Sequence, residues 1–234
     1  MWKENQVTHY TFEGREAIVV RPEEPNGLLV WKAEYFAAFQ GFEEAMIERG
    51  YTLCYVGHPT RWAPDSELDV VSAFLQSVAE RYDLDPRVIA VGMSCGGLLS
   101  AKFAEKYPEQ IGVLYLDAPV LNILSMLGMG EAEFSETMYR ELSDTYGFSR
   151  STAVNFRESP IDNMTPLIAH DIPVILLYGN ADSLVIYAEN GRVLEDYYRA
   201  HGGRIKVICR SMCGHHPHGL DDPQPIIDFV EREF

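Results

Sequence analysis

The chain has 234 residues, 47% hydrophobic and 23% charged, which suits one large α/β domain with a single buried core and excludes a disordered or membrane-spanning class. Its formal net charge of −16 repels phosphate backbones and anionic lipid, which argues against nucleic acid and membrane surfaces as partners. No apolar run approaches the ~18 residues that a bilayer span needs. The start, Met1-Trp2-Lys3-Glu4-Asn5-Gln6, lacks the apolar stretch and small-residue cleavage site of a secretory leader, so a cytoplasmic protein is expected.

Short strand-like runs alternate with amphipathic helical patterns, the mark of a mostly parallel sheet covered on both faces. Val7 to Phe12 and Glu16 to Val20 read as a hairpin around Gly14, and Pro22, Pro25 and Gly27 mark a turn. Leu28 to Trp31 is a short strand. Phe36 to Arg49 has helical period and stops at Gly50, and Tyr51 to Val56 is the next strand. Pro64-Asp65-Ser66 opens a helix to about Tyr82, with Leu68, Val71, Leu75 and Val78 on one face. Val88 to Val91 is a β-branched strand, followed by a helix from about Gly97 to Tyr107 and a strand from Ile111 to Leu116. Strands at Pro173 to Tyr178 and Ile205 to Cys209, with helices from about Tyr187 to Ala200 and from Pro225 onward, complete an eight-stranded α/β pattern.

The stretch from Asn122 to His170 breaks this rhythm. It has helical pieces and no clear strand, so it reads as an insertion (122–170) in a core formed by 1–121 and 171–234; long insertions of this kind are often lids. Its apolar run Ile123-Leu124-Ser125-Met126-Leu127 suits a lid, an interface or buried core equally.

The strongest chemical signal is Gly92-Met93-Ser94-Cys95-Gly96, a G-x-S-x-G pattern between a β-branched strand and a helix. Such a turn projects its central residue from the strand end and needs small neighbours on both sides. Ser94 is therefore the expected nucleophile, and Cys95 the expected donor of a main-chain N–H to an oxyanion hole. A serine hydroxyl needs a base. Of seven histidines, three cluster in Gly214-His215-His216-Pro217-His218 after the last strand, where the base of such a site falls; His215 is the first choice and His216 the second, with His218 supporting the loop. The orienting carboxylate is Asp182, just past a strand in Tyr178-Gly179-Asn180-Ala181-Asp182, with Asp117 the runner-up or a loop-capping residue. The second oxyanion donor is placed at the Ala33 N–H. Tyr35, Phe36, Met93 and Trp62 are candidate pocket-lining residues. No cofactor is expected and no metal, because zinc ligands come as separated pairs and adjacent histidines on one loop seldom converge on one ion. The four cysteines, Cys54, Cys95, Cys209 and Cys213, form no C-x-x-C pair and are expected to be free thiols, Cys54 and Cys209 as small core residues.

Taken together, these runs resemble the α/β-hydrolase superfamily over nearly the whole chain. Gly214-His215-His216-Pro217-His218-Gly219-Leu220, continuing to Asp222-Pro223 and Pro225 to Phe229, resembles a subgroup of bacterial esterase-like hydrolases. The resemblance implies a small helical cap from Asn122 to His170. It also implies ester-substituted carbohydrates as substrates, since such proteins often accompany glycan-degrading genes. The sequence departs from the superfamily where a His-Gly pair is usual, for Trp31-Lys32 stands there. The expected activity is thus hydrolysis of small acyl esters through an acyl-enzyme, with a small-molecule ester as partner. The alternatives are the same fold acting as amidase, peptidase, thioesterase or lactonase, a non-catalytic binding protein, and a metal-dependent enzyme using the histidine loop.

Overall fold

The computed structural model describes residues 6–234, so most of the amino-terminal run read for a leader lies outside the described residues. Eight strands form one sheet: β1 (Val7–Phe12), β2 (Arg15–Val20), β3 (Leu29–Lys32), β4 (Thr52–Val56), β5 (Val88–Met93), β6 (Ile111–Asp117), β7 (Val174–Gly179) and β8 (Ile205–Arg210). Their order across the sheet is β1-β2-β4-β3-β5-β6-β7-β8. β1 and β2 make a hairpin that turns with Phe12 opposite Arg15, β2 meets β4 antiparallel, and every other pairing is parallel. This is an α/β-hydrolase fold, as the pattern of elements led one to expect. No helix among the described residues is long and apolar enough to cross a membrane.

The strands are apolar throughout because both faces are covered. Side chains alternate across the pleat. Leu29, Trp31, Ala90, Leu114 and Leu176 face one core, shared with α2 (Asp65–Tyr82) and α3 (Cys95–Lys106). Val30, Ile89, Val91, Tyr115 and Ile175 face the other, shared with α1 (Gly41–Glu48) and the C-terminal helix. The expected face of α2, Leu68, Val71, Leu75 and Val78, is buried in the first core, and the helix stops where Asp83 turns to φ 55°.

Between β6 and β7 lie a wide helical turn (Ser125–Met129), α4 (Glu136–Tyr146), α5 (Arg150–Ala153) and α6 (Thr165–Ala169), with no strand. α7 (Gly191–Ala200) and α8 (Gln224–Glu233) complete the chain. Ile123, Met126 and Leu127 are buried in the first core, which decides between the readings of that apolar run. The segment is clasped to the rest of the molecule by Glu141, whose Oε2 accepts from Arg61 Nε (3.0 Å), Arg61 Nη2 (2.8 Å) and Trp62 Nε1 (2.8 Å).

Two expectations need correction. The helix expected from Phe36 begins only at Gly41, because the intervening residues wrap a buried ammonium: Lys32 Nζ donates to the Ala38 carbonyl at 2.9 Å, with Tyr35 and Phe39 at positive φ. Cys209 is exposed rather than core, since β8 is an edge strand; Cys54 is fully buried, and all four cysteines are free.

Lys32 stands where the superfamily usually has a His-Gly pair, and it is buried. Its ammonium lies 2.5 Å from Glu43 of α1, and both side chains are 1% exposed. Burial pushes the Glu43 carboxyl up, and Lys32 opposes that shift. Lys32→Met is expected to destabilise the fold by about 3–5 kcal/mol, because it strands a buried carboxylate, whereas Lys32→Met with Glu43→Leu should recover most of the loss. Urea unfolding of both variants checks this; equal stability of the two would deny the coupling.

Candidate active site

Four strand ends bring the site together at the carboxyl edge of the sheet, where ligands bind in open α/β folds. Ser94 sits between β5 and α3 at φ 52° and ψ −120°, outside the ordinary regions for an L-residue. The neighbouring backbone holds it there. Its N–H donates to the Asp117 carbonyl (3.0 Å), and its own carbonyl accepts from Gly97 (2.9 Å) and Val120 (3.0 Å). The glycines are required by close approach: a Cβ on Gly92 would lie 2.7 Å from the Gly96 carbonyl oxygen, and one on Gly97 would lie 2.7 Å from Pro119 Cα.

The histidine loop reaches this turn from the end of β8. Gly179 admits it, since a Cβ there would lie 2.5 Å from the Gly214 oxygen. Asn180 then ties it, its Oδ1 accepting from Met212 N–H at 2.7 Å, while Ala181 N–H donates to the Cys213 carbonyl at 2.9 Å. His215 Nε2 consequently lies 2.9 Å from Ser94 Oγ, and His215 Nδ1 lies 2.7 Å from Asp182 Oδ2. Asp182 Oδ1 accepts from the Leu184 and Val185 N–H groups at 2.9 and 3.0 Å. Burial alone would raise the Asp182 carboxyl, but His215 and those backbone donors outweigh it and hold it below its ordinary value. The structure thus brings Ser94, His215 and Asp182 into one hydrogen-bonded line, with an ionised carboxylate at its far end.

His216 and Asp117 are not part of that line. His216 is exposed and stacks on Phe39 at 5.7 Å between ring centroids. Asp117 is fully buried and serves the other side of the loop: it accepts from Arg210 Nη2 (2.7 Å) and Gly219 N–H (2.6 Å) and lies 3.2 Å from His218 Nδ1. His218 therefore supports the loop, and Asp117 caps it.

The two N–H groups expected at the oxyanion site are placed differently. Cys95 N–H is at the first position of α3, where backbone donors have no helical partner. Ala33 N–H is not available, because it donates to the Val91 carbonyl at 3.0 Å as a continuation of the β3–β5 ladder. The next N–H, that of Glu34, is the one beside the elbow: a Cβ on Gly96 would lie 3.3 Å from Glu34 N.

The pocket residues divide similarly. Tyr35 is 36% exposed and lies beside the Cys95 thiol. Phe36 turns away to pack on Tyr55 at 5.5 Å. Met93 is 1% exposed in the core beside α1 and α8, because its neighbour Ser94 takes the outward position at the strand end. Trp62 is wholly buried under Glu141. Burial pushes the Cys95 thiol above its ordinary value, which disfavours its thiolate and leaves Ser94 the better-placed candidate nucleophile.

Glu34, Asn180, Arg210 and Phe39 carry no local motif that marks them, yet all four pack around the site. Burial raises the Glu34 carboxyl to about 7. Between its ordinary value of 4.5 and about 7 the folded chain holds a proton that the unfolded chain has lost, so stability falls as pH rises through that window. Glu34→Gln is expected to flatten this decline, which urea midpoints from pH 5 to 8 would read; an unchanged slope would mean that Glu34 ionises freely.

Residues 61–232 match the model of the prolyl oligopeptidase family. The acylamino-acid-releasing enzyme of Rattus norvegicus is 30% identical over 134 residues, 56% of this chain and 18% of that protein. Among solved structures, the acylaminoacyl peptidase of Pyrococcus horikoshii superposes with a TM-score of 0.76 at 14% identity, over 97% of this chain and 41% of its own. A puromycin hydrolase superposes with a TM-score of 0.72 at 18% identity, over 97% of this chain and 38% of its own. The chain therefore spans less than half the length of each of these relatives.

Proposed function

The chain belongs to the prolyl oligopeptidase family, a serine-hydrolase branch of the α/β-hydrolase superfamily, and from that premise we propose that it hydrolyses amide bonds in short acylated peptide-like substrates. The observation that carries the reading is the line from Ser94 Oγ through His215 to Asp182, at 2.9 and 2.7 Å. Family membership supports an amide rather than an ester as the bond cleaved. The ester expected from the sequence gives way to the amide alternative, and the carbohydrate-ester substrate has no support from the relatives. The names of two of those relatives point to an N-acylated amino acid as the group released.

In the proposed cycle Ser94 Oγ attacks the substrate carbonyl carbon while its proton passes to His215 Nε2. The carbonyl π electrons move to oxygen, and the Cys95 and Glu34 N–H groups receive the oxyanion, each worth ~3 kcal/mol in such a site. His215 then protonates the departing amine nitrogen, leaving the acyl group on Ser94. Water repeats the steps, with His215 again as base, and frees the acid. Asp182 keeps the proton of neutral His215 on Nδ1, so that Nε2 can accept, and stabilises the imidazolium formed in each half.

A panel of N-acetyl-aminoacyl p-nitroanilides, p-nitrophenyl esters and thioesters tests the choice of bond. Turnover of the anilides, with fluorophosphonate labelling of Ser94, is the expected result. Ester turnover with the anilides untouched would return the reading to an esterase. Absence of labelling would remove the serine mechanism altogether.

A further inference from the structure

His215, His216 and His218 each offer a ring nitrogen within 4.8 Å of the other two, although the three lie on one short loop. The expectation that neighbouring histidines would diverge does not hold here. The rings meet edge to face at 66°, 82° and 89°, with centroids 4.7, 5.0 and 4.9 Å apart, and Phe39 packs against both His216 and His218.

Two further features point to a ligand. His218 Nε2 has no hydrogen-bond partner, although the side chain is 1% exposed. The other nitrogen of that ring, Nδ1, lies against the buried Asp117 carboxylate, just as His215 Nδ1 lies against Asp182. A carboxylate at Nδ1 fixes the proton there and turns the Nε2 lone pair outward, the arrangement that orients imidazoles toward a metal ion. The loop therefore holds two carboxylate-backed imidazoles and a third that is solvent-accessible.

We propose that His215, His216 and His218 form a site for a Zn2+-class transition-metal ion, and that occupation of this site takes His215 Nε2 away from Ser94 and reversibly inhibits the enzyme. Zn–N bonds of about 2.1 Å place tetrahedral ligand nitrogens about 3.4 Å apart, so nitrogens now within 4.8 Å of one another need close by about 1.4 Å at most. The fourth position falls to water. Soft-to-borderline ions suit three imidazoles, whereas Mg2+ and Ca2+ require oxygen ligands. The formal charge of −16 favours the approach of any cation. The inhibition, though not the binding, rests on the reading of His215 as the base.

Calorimetric titration of the full chain with ZnCl2 is expected to show one bound ion per chain, and titration with MgCl2 none. Loss of an outer partner of a metal-bound histidine costs ~10–100-fold in affinity, so His216→Ala, which removes a ligand on an exposed ring, should weaken Zn2+ binding at least tenfold. Ser94→Ala removes the competitor for His215 and should bind Zn2+ at least as tightly as wild type. Zn2+ should also slow fluorophosphonate labelling of Ser94, and EDTA should restore it. Lack of binding, or binding indifferent to His216→Ala, would overturn the site. Binding without any effect on labelling would overturn the inhibition. Because calorimetry and labelling need no substrate, failure of the amidase reading leaves this test intact, and an active amidase that binds no Zn2+ loses only the metal site.

Discussion

Ser94→Ala is expected to lower kcat/KM on the preferred substrate by about a millionfold while leaving the fold in place. The size follows from the cooperation of the three side chains: without Oγ, His215 and Asp182 have nothing to activate. What remains is the binding pocket and the two backbone donors, which in comparable sites leave roughly a thousand- to ten-thousandfold over water. The fold should survive because the turn does not depend on the hydroxyl. The backbone at φ 52° is held by main-chain bonds to Asp117, Gly97 and Val120, and alanine meets the same φ/ψ cost as serine. Kinetics on purified variant and wild type, with thermal melts as the control, decide the matter. A variant that keeps activity within about tenfold of wild type would be off by most of the ~8 kcal/mol that a millionfold loss represents, and would move the nucleophile elsewhere. Cys95 is then the residue to test, although its buried thiol is held protonated.

The features legible in the sequence were those with short-range causes. The strand period, the small residues around Ser94 and the acid after β7 are each set by neighbours within a few positions, so eight strands, the elbow and the place of Asp182 are legible in local pattern. What escaped reading depends on contacts between distant elements. Arg210 reaches Asp117 across 93 positions of sequence, and nothing near either residue announces the other. The buried Lys32–Glu43 pair is similar: a lysine at a strand end reads as a solvated charge until α1 closes over it.

The two errors closest to the chemistry share one cause. Adjacency alone points to Ala33 at the end of β3 and to Met93 beside Ser94. On a strand, adjacency reverses direction: Met93 points into the core because Ser94 points out. Similarly, the ladder with β5 extends one residue further than the strand pattern suggests, consumes the Ala33 N–H and passes the free donor to Glu34. The histidine loop failed in the opposite direction. Spacing implies divergence, but Phe39, which helical period places in the first turn of a helix from Phe36, turns out at φ 53° and gathers two of the rings.

Asp182→Asn should cost about ten-thousandfold in kcat at neutral pH, although it changes one oxygen into one nitrogen. Asp182 Oδ1 is committed to the Leu184 and Val185 N–H groups, so asparagine must place its oxygen there and its NH2 against His215 Nδ1. An NH2 can only donate, which makes Nδ1 the acceptor and drives the imidazole proton onto Nε2, where it faces Ser94 Oγ. The base is then protonated on the wrong atom. The same substitution carries a stability signature with a definite sign. The Asp182 carboxyl lies below its ordinary value of 3.8 in the folded protein, so its stabilising contribution is present above that value and is lost as pH falls through the lower folded one. Wild type should therefore lose stability on acidification below about pH 4 more steeply than Asp182→Asn. Steady-state kinetics at pH 7.5 and urea midpoints from pH 2.5 to 5 test the two halves separately. A large kinetic loss with the pH slope unchanged would make Asp182 the orienting group without the depressed acidity. A changed slope with near-normal kcat would leave the carboxylate structural and reopen the question of what holds the His215 tautomer.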